Sequence, residues 1–213
     1  MSRRYFISLN LTGKTCLVVG GGQVAERKVH SLLECGAHVV VVSPSITPGL
    51  AKLAEEDKLV YRQGYYRVSD LTGVFLVIGA ANREEVNRQV ADDCAVRNLI
   101  VNIVDDQAKG NFFVPAVVRR GDLSIAVSTD GKSPMLARKI REDLEKTYGA
   151  PFGEFLELLG DLRQEVIRNV ADRDLKREIL ENMVDSEVLS LLKEGCIERV
   201  KERLRSAYRS GRS

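Results

Sequence analysis

Three stretches of the chain carry residue types that could do chemistry. The first is Gly20-Gly-Gly22-Gln-Val-Ala25, directly after the apolar run Thr15-Cys-Leu-Val-Val19 and at the mouth of a helix-patterned segment. In a G-x-G-x-x-A spacing, the first glycine makes a tight turn and the second lets backbone approach a pyrophosphate. The small third residue lets the helix pack on the sheet. The anion then rests on the helix N-terminus. The spacing predicts a dinucleotide site on Gly20, Gly22, Gln23 and Val24. The second stretch is Asp105-Asp106, just past the apolar run Leu99–Val104. Ligands of an open α/β sheet lie at the carboxyl edge of its strands, so the Asp105 carboxylate could exchange a proton there. The competing reading is an aspartate that only caps a turn, with Asp106 as its solvated neighbour. The third stretch, Ser128-Thr-Asp-Gly-Lys-Ser-Pro134, precedes a helix start. Hydroxyls, backbone amides and the positive helix end make an anion site of Ser128, Thr129, Lys132 and Ser133. Arg138, Lys139 and Arg141 follow closely, and Arg119 and Arg120 could add to the patch. Against this stands an ordinary capped helix with a solvated basic face.

The elements that must position these residues are legible from the apolar pattern. Strands are expected at Thr15–Val19, His38–Ser43, Leu59–Tyr61, Val74–Gly79 and Leu99–Val104, with helices at Val24–Cys35, Pro48–Asp57 and Arg83–Arg97. Strands that alternate with helices and read as near-continuous apolar runs imply a parallel sheet covered on both faces. The expected fold is α/β, a Rossmann-type doubly wound sheet over residues 1–113. Phe112–Val118 and Leu123–Ser128, joined by Arg119-Arg-Gly-Asp122, then read as a hairpin. Ser133 as N-cap and Pro134 at the first position open a helix to about Lys146, giving a hairpin–helix segment over 114–148. Beyond it, over 149–213, only helical spacing remains: Phe152–Val170, Leu175–Met183 and Ser186–Tyr208, with Gly195 as a candidate break.

Composition narrows the function classes. Of 213 residues, 44% are apolar and 29% charged, which excludes disordered and collagen-like chains. The formal net charge of +2 gives no global field of the kind that marks a nucleic-acid partner. No apolar run is long enough to span a bilayer, so no membrane partner is expected. The four cysteines are scattered, without Cys-x-x-Cys pairs or His at ligand spacing, so no metal site is expected and a reducing cytoplasm is the simplest setting. His30 and His38 read as structural, Cys16 and Cys94 as small core residues. An acidic residue about 20 positions beyond the glycines would hold the ribose hydroxyls. This chain has Ser43, Pro44 and Ser45 there, which can hydrogen-bond but discriminate NAD from NADP poorly.

Taken together, Val18-Val-Gly-Gly-Gly-Gln-Val-Ala-Glu-Arg-Lys28, Asn102-Ile-Val-Asp105, Phe112-Phe-Val-Pro115 and Ser128-Thr-Asp-Gly-Lys-Ser-Pro-Met-Leu-Ala-Arg138 resemble one family. It is the precorrin-2 dehydrogenase family, which includes the dehydrogenase/ferrochelatase module of siroheme synthase. The resemblance covers essentially the whole chain, and this reading expects no methyltransferase domain of the kind the fused synthases carry. It implies NAD-dependent oxidation of precorrin-2 to sirohydrochlorin, ferrochelation with Fe2+ as a further substrate in some members, and an intertwined homodimer formed by the hairpin and helical parts. It makes Asp105 the general acid/base and gives the polycarboxylate substrate to Ser128, Thr129, Lys132, Ser133 and Arg138. It also implies cofactor contacts at Ser43, Pro44, Ser45, Ala81, Asn82 and Asn102. Two positions depart from the family pattern. Ala80-Ala-Asn82 stands where Ala-Ala-Thr is common, and Thr129 stands where some members have serine, so regulation through that serine is not carried over to this chain.

Two other readings compete. A tetrapyrrole-binding chelatase or carrier without redox work would bind tetrapyrrole regardless of NAD. An NAD-sensing dimeric regulator would explain the glycines and the helical tail but would leave Asp105 and the Ser128–Arg138 loop without a role.

Overall fold

A computed structural model describes residues 4–104, 106 and 108–210, with side chains to residue 208. The chain divides into two units, Met1–Val114 and Pro115–Ser213.

The first unit is a parallel sheet of β1 (Thr15–Val19), β2 (His38–Ser43), β3 (Val60–Gln63), β4 (Leu76–Gly79) and β5 (Ile100–Ile103), in the order β3-β2-β1-β4-β5. Helices α1 (Gln23–Glu34), α2 (Pro48–Glu55) and α3 (Glu84–Val96) connect the strands, with a 3-10 turn at Val68–Leu71 that periodicity had not suggested. β1 shows why the central strands are so apolar. Cys16 and Val18 pack with Ala25, Val29 and Leu50 of α1 and α2 on one face. Leu17 and Val19 pack with Leu71, Val90 and Cys94 on the other. Strand order reverses direction at β1, whose neighbours are β2 on one side and β4 on the other. At that switch point the loops leaving β1 and β4 diverge and open a crevice.

One expected strand segment is corrected. Phe112–Pro115 is not strand, and β6 begins only at Ala116. Residues 110–112 instead run along the open edge of β5. Asn111 Oδ1 accepts from the Val101 amide at 2.8 Å, its Nδ2 donates to Leu99 O at 2.8 Å, and its own amide donates to Val101 O at 2.9 Å. A side chain thus stands in for a neighbouring strand and covers an edge that would otherwise be open.

The second unit opens with the hairpin of β6 (Ala116–Arg120) and β7 (Leu123–Val127), paired antiparallel. Gly121, at φ +55°, takes the first of the two turn positions, where a tight hairpin needs positive φ. Helix α4 (Pro134–Thr147) packs on this hairpin, and Arg120 donates to Glu145 O at 3.2 Å. Four helices follow: α5 (Pro151–Asn169), α6 (Arg173–Asn182), α7 (Ser186–Lys193) and α8 (Ile197–Ser210). They bury Phe155, Val166, Ile179, Met183, Leu192 and Leu204 in one core. Gly195, at φ +77°, does end a helix and separates α7 from α8. Asp172 and Asp185 cap α6 and α7, each accepting a backbone amide at 2.8 Å.

Candidate functional site

The three glycines after β1 have three different environments. A Cβ on Gly20, which has φ +128°, would lie 2.3 Å from Ala80 O. One on Gly21 would lie 2.1 Å from Ser45 O and 2.8 Å from Ser43 Oγ. One on Gly22 would meet nothing within 4 Å. The first two glycines are therefore required by protein packed against them, whereas the third faces open space. Gly22 is also the N-cap of α1, with φ −84° and ψ −176°, and supplies no side chain to the amides of the first turn. Those donors and the helix dipole make a place that suits an anion.

Gly22, Gln23 and Val24 form one wall of a cleft of about 700 Å³. Ala80, Ala81 and Asn82, after β4, form another, and Ile103, Val104, Asp106 and Lys109 line it from the end of β5. This is the carboxyl edge of the sheet at its switch point. Of the cofactor residues expected from sequence, Gly22, Gln23, Val24, Ala81 and Asn82 thus meet in one cleft, while Gly20 lies behind it and supports Ala80. Ser43 is buried at the end of β2, and its carbonyl accepts from Tyr61 Oη and the Gly64 amide, both at 3.0 Å. Pro44 and Ser45 are exposed. Asn102 is buried within β5, and its Nδ2 donates to Phe112 O at 3.1 Å. That amide is committed to holding the 110–112 segment rather than turned into the cleft.

Asp105, expected as the acid/base, lies outside the described residues. Its neighbour Asp106 belongs to an ionic chain along the cleft. Asp106 Oδ2 is 2.7 Å from Lys109 Nζ, which is 3.1 Å from Glu84 Oε1, which in turn is 3.1 Å from Arg88. The hydrogen bond from Lys109 holds the Asp106 carboxyl below its ordinary pKa, and those from Lys109 and Arg88 do the same for Glu84. Both carboxylates in turn raise the Lys109 ammonium. These charges tie the segment after β5 to the first turn of α3.

Sequence reasoning missed Asn87, Glu84 and Lys109 as cleft residues. Asn87 Oδ1 accepts from the Ala81 amide at 3.1 Å, and its Nδ2 donates to Ala81 O at 2.9 Å. One polar residue among the many of this amphipathic helix carries no composition signal of this role. Its position one helical turn inside α3, where side chains lean toward the N-terminus, was the available clue.

In the second unit, the Ser128–Ser133 loop is a set of local caps. Ser128 Oγ accepts from the Asp130 amide, Thr129 Oγ1 from the Ser133 amide and Ser133 Oγ from the Leu136 amide, at 3.1, 3.1 and 3.2 Å. Asp130 and Gly131 have φ +52° and +78°, which fold the loop back ahead of α4. The three hydroxyl protons stay available as donors, since these oxygens only accept in the caps. Lys132 is exposed, and Arg138 is exposed and paired with Glu142 at 2.7 Å. No group of three or more His, Cys, Asp or Glu side chains among the described residues could hold a metal ion.

Comparison with known proteins adds to this geometry. A family model described as NAD(P)-binding matches residues 7–116. A second, described as the central part of a sirohaem biosynthesis protein, matches residues 120–147. Siroheme synthase 3 of Aeromonas hydrophila subsp. hydrophila is 39% identical over 160 residues, which cover 75% of this chain and 34% of that protein. The siroheme synthase of Chromobacterium violaceum is 40% identical over 168 residues, covering 79% of this chain and 36% of that protein. The chain thus spans about a third of the length of these relatives. The solved structure of SirC, a precorrin-2 dehydrogenase, superposes with a TM-score of 0.77 at 29% identity, covering 93% of this chain and 100% of that one.

Proposed function

The chain belongs to the NAD(P)-binding family whose model matches residues 7–116, and from that premise, with its likeness to siroheme synthases, we propose that it oxidises precorrin-2 to sirohydrochlorin with NAD. The observation that carries the reading is the likeness to SirC, which runs over nearly all of both chains. The residues present fit the cofactor. Gly22 leaves room that no protein atom fills, and the first turn of α1 offers amides to a pyrophosphate. NAD, when bound, supplies the acceptor for a hydride. In this proposal the Asp105 carboxylate takes the accompanying proton from the macrocycle, while Gly22, Gln23, Val24, Ala81 and Asn82 orient the dinucleotide. Gly20, Ser43, Pro44, Ser45 and Asn102 support the same region from behind or beside it. Ser128, Thr129, Lys132, Ser133 and Arg138 offer hydroxyls and cations to the carboxylates of the substrate.

The reading extends to assembly, metal and setting. Met135, Leu136 and Ile140 of α4 are exposed apolar side chains, which supports a homodimer formed through the hairpin and helical parts. Ferrous iron enters as a further substrate, bound by the nitrogens of sirohydrochlorin, with Asp105 accepting the two displaced pyrrole protons one at a time and passing each to solvent. The four free cysteines suit a reducing cytoplasm, and among the described residues no helix is long and apolar enough to cross a membrane.

The test is Asp105→Asn in the full chain. Turnover of precorrin-2 falls by about a hundredfold or more, the scale of a lost general base, while NAD affinity measured by titration is unchanged. Retained turnover would remove Asp105 from the mechanism.

A further inference from the structure

The two hydrogen bonds between Asn87 and Ala81 have a consequence for the cleft. A primary amide is the side-chain group that presents a neutral donor and a neutral acceptor side by side. Asn87 uses both on one residue, its Oδ1 on the Ala81 amide at 3.1 Å and its Nδ2 on the Ala81 carbonyl at 2.9 Å. Reversing the amide would set donor against donor and acceptor against acceptor, so the pair of bonds fixes its orientation. Gly79 lies beside it, where a Cβ would lie 2.6 Å from Ile103 Cδ1 and 3.3 Å from Asn87 Oδ1. Ala80 in turn leaves no slack against the glycine turn, because a Cβ on Gly20 would lie 2.3 Å from Ala80 O. The wall formed by Ala81 and Asn82 is therefore held from one side by Gly20 and from the other by Asn87.

We infer that Asn87 is a positioning residue for the dinucleotide: it sets the place of Ala81 and Asn82 opposite Gly22–Val24, and so sets cofactor affinity without carrying the chemical step. The inference rests on the proposal that this cleft holds NAD. Asn87→Asp keeps the shape and the acceptor for the Ala81 amide but turns an acceptor on the Ala81 carbonyl. Asn87→Leu keeps the size and removes both bonds.

The experiment titrates NADH fluorescence with the full chain and with these two variants. Leu71→Ala serves as the control, since Leu71 is buried against the α3 side of the sheet and is not among the residues lining the cleft. The wild type binds, both Asn87 variants bind about tenfold or more weakly, as expected when a paired polar clamp is lost, and Leu71→Ala binds like the wild type despite a lower melting temperature. In steady state the KM for NAD rises in the Asn87 variants while kcat stays within about twofold, the pattern of lost ground-state binding. Unchanged affinity in both variants overturns the inference, and so does an equal loss in Leu71→Ala, which would make the effect one of stability. A wild type that binds no NADH overturns the cofactor reading itself, and the inference falls with it.

Discussion

At the residue scale, the glycine run separates fold from function within three positions. Gly20→Ala and Gly21→Ala each push a methyl group into backbone of a neighbouring loop, and we expect each to cost about 2 kcal/mol or more of stability, measured by denaturant unfolding. Gly22→Ala meets no protein atom and has a backbone that alanine tolerates. Its stability therefore falls only by the smaller cost of alanine at an N-cap, less than at Gly20 or Gly21, while NAD binding is lost because the new methyl group occupies cofactor space. Equal stability loss at all three positions would contradict this division. The cysteines allow a second check. Burial pushes the Cys16 and Cys94 thiols up to about 11. A thiol held neutral in the fold stabilises it below the unfolded value of 9.0 and loses that contribution as pH rises toward 11. Both should resist a thiol-specific reagent in native protein at neutral pH and react only on unfolding, as read by mass spectrometry. The glycine spacing was legible in sequence because each glycine answers a backbone demand. Asn87 was not, because its partners are backbone atoms six residues away across a turn.

At the element scale, the alternation of strand and helix was legible through Ile103 because β1, β2, β4 and β5 are largely buried, and only the edge strand β3 is half exposed. The pattern misled at Phe112–Pro115, where apolar residues lie beside a strand edge held by Asn111 and Asn102 rather than in a strand of their own. The cap of α4 was legible, since Ser133-Pro134 is a local signal. Ser133→Ala should cost about 1 kcal/mol in denaturant unfolding, because the Leu136 amide loses its acceptor. The ionic chain Arg88–Glu84–Lys109–Asp106 joins residues that no local pattern links. Its pH window follows from the shifts. Glu84 and Asp106 are depressed, so their contribution is present above the unfolded carboxylate pKa of about 4 and is lost as pH falls through the lower folded values. Lys109 is raised, so its contribution is complete below about 10.4 and is lost as pH rises through the folded value. Lys109→Ala should therefore lower the melting temperature at neutral pH, less so in high salt, and not at all in acid. An effect that persists in acid would assign Lys109 a packing role instead.

At the scale of the whole molecule, two units carry complementary halves of the proposed chemistry, the dinucleotide cleft in Met1–Val114 and the hydroxyl- and cation-bearing loop in Pro115–Ser213. In the sequence the pattern changes from alternating strands to a hairpin and then to helices alone, read as three segments, 1–113, 114–148 and 149–213, whereas the structure divides the chain once, after Val114. The fold class and the family were legible because several short motifs stand in order along the chain, and each constrains a different element. The measurement that bears most directly on the account is anaerobic absorbance of the purified chain supplied with enzymatically generated precorrin-2, with and without NAD. The account predicts that the sirohydrochlorin spectrum appears only when NAD is present, and that ferrous ion added afterwards removes that spectrum faster than in a protein-free control. Folded protein that shows no NAD-dependent change in the spectrum would contradict it.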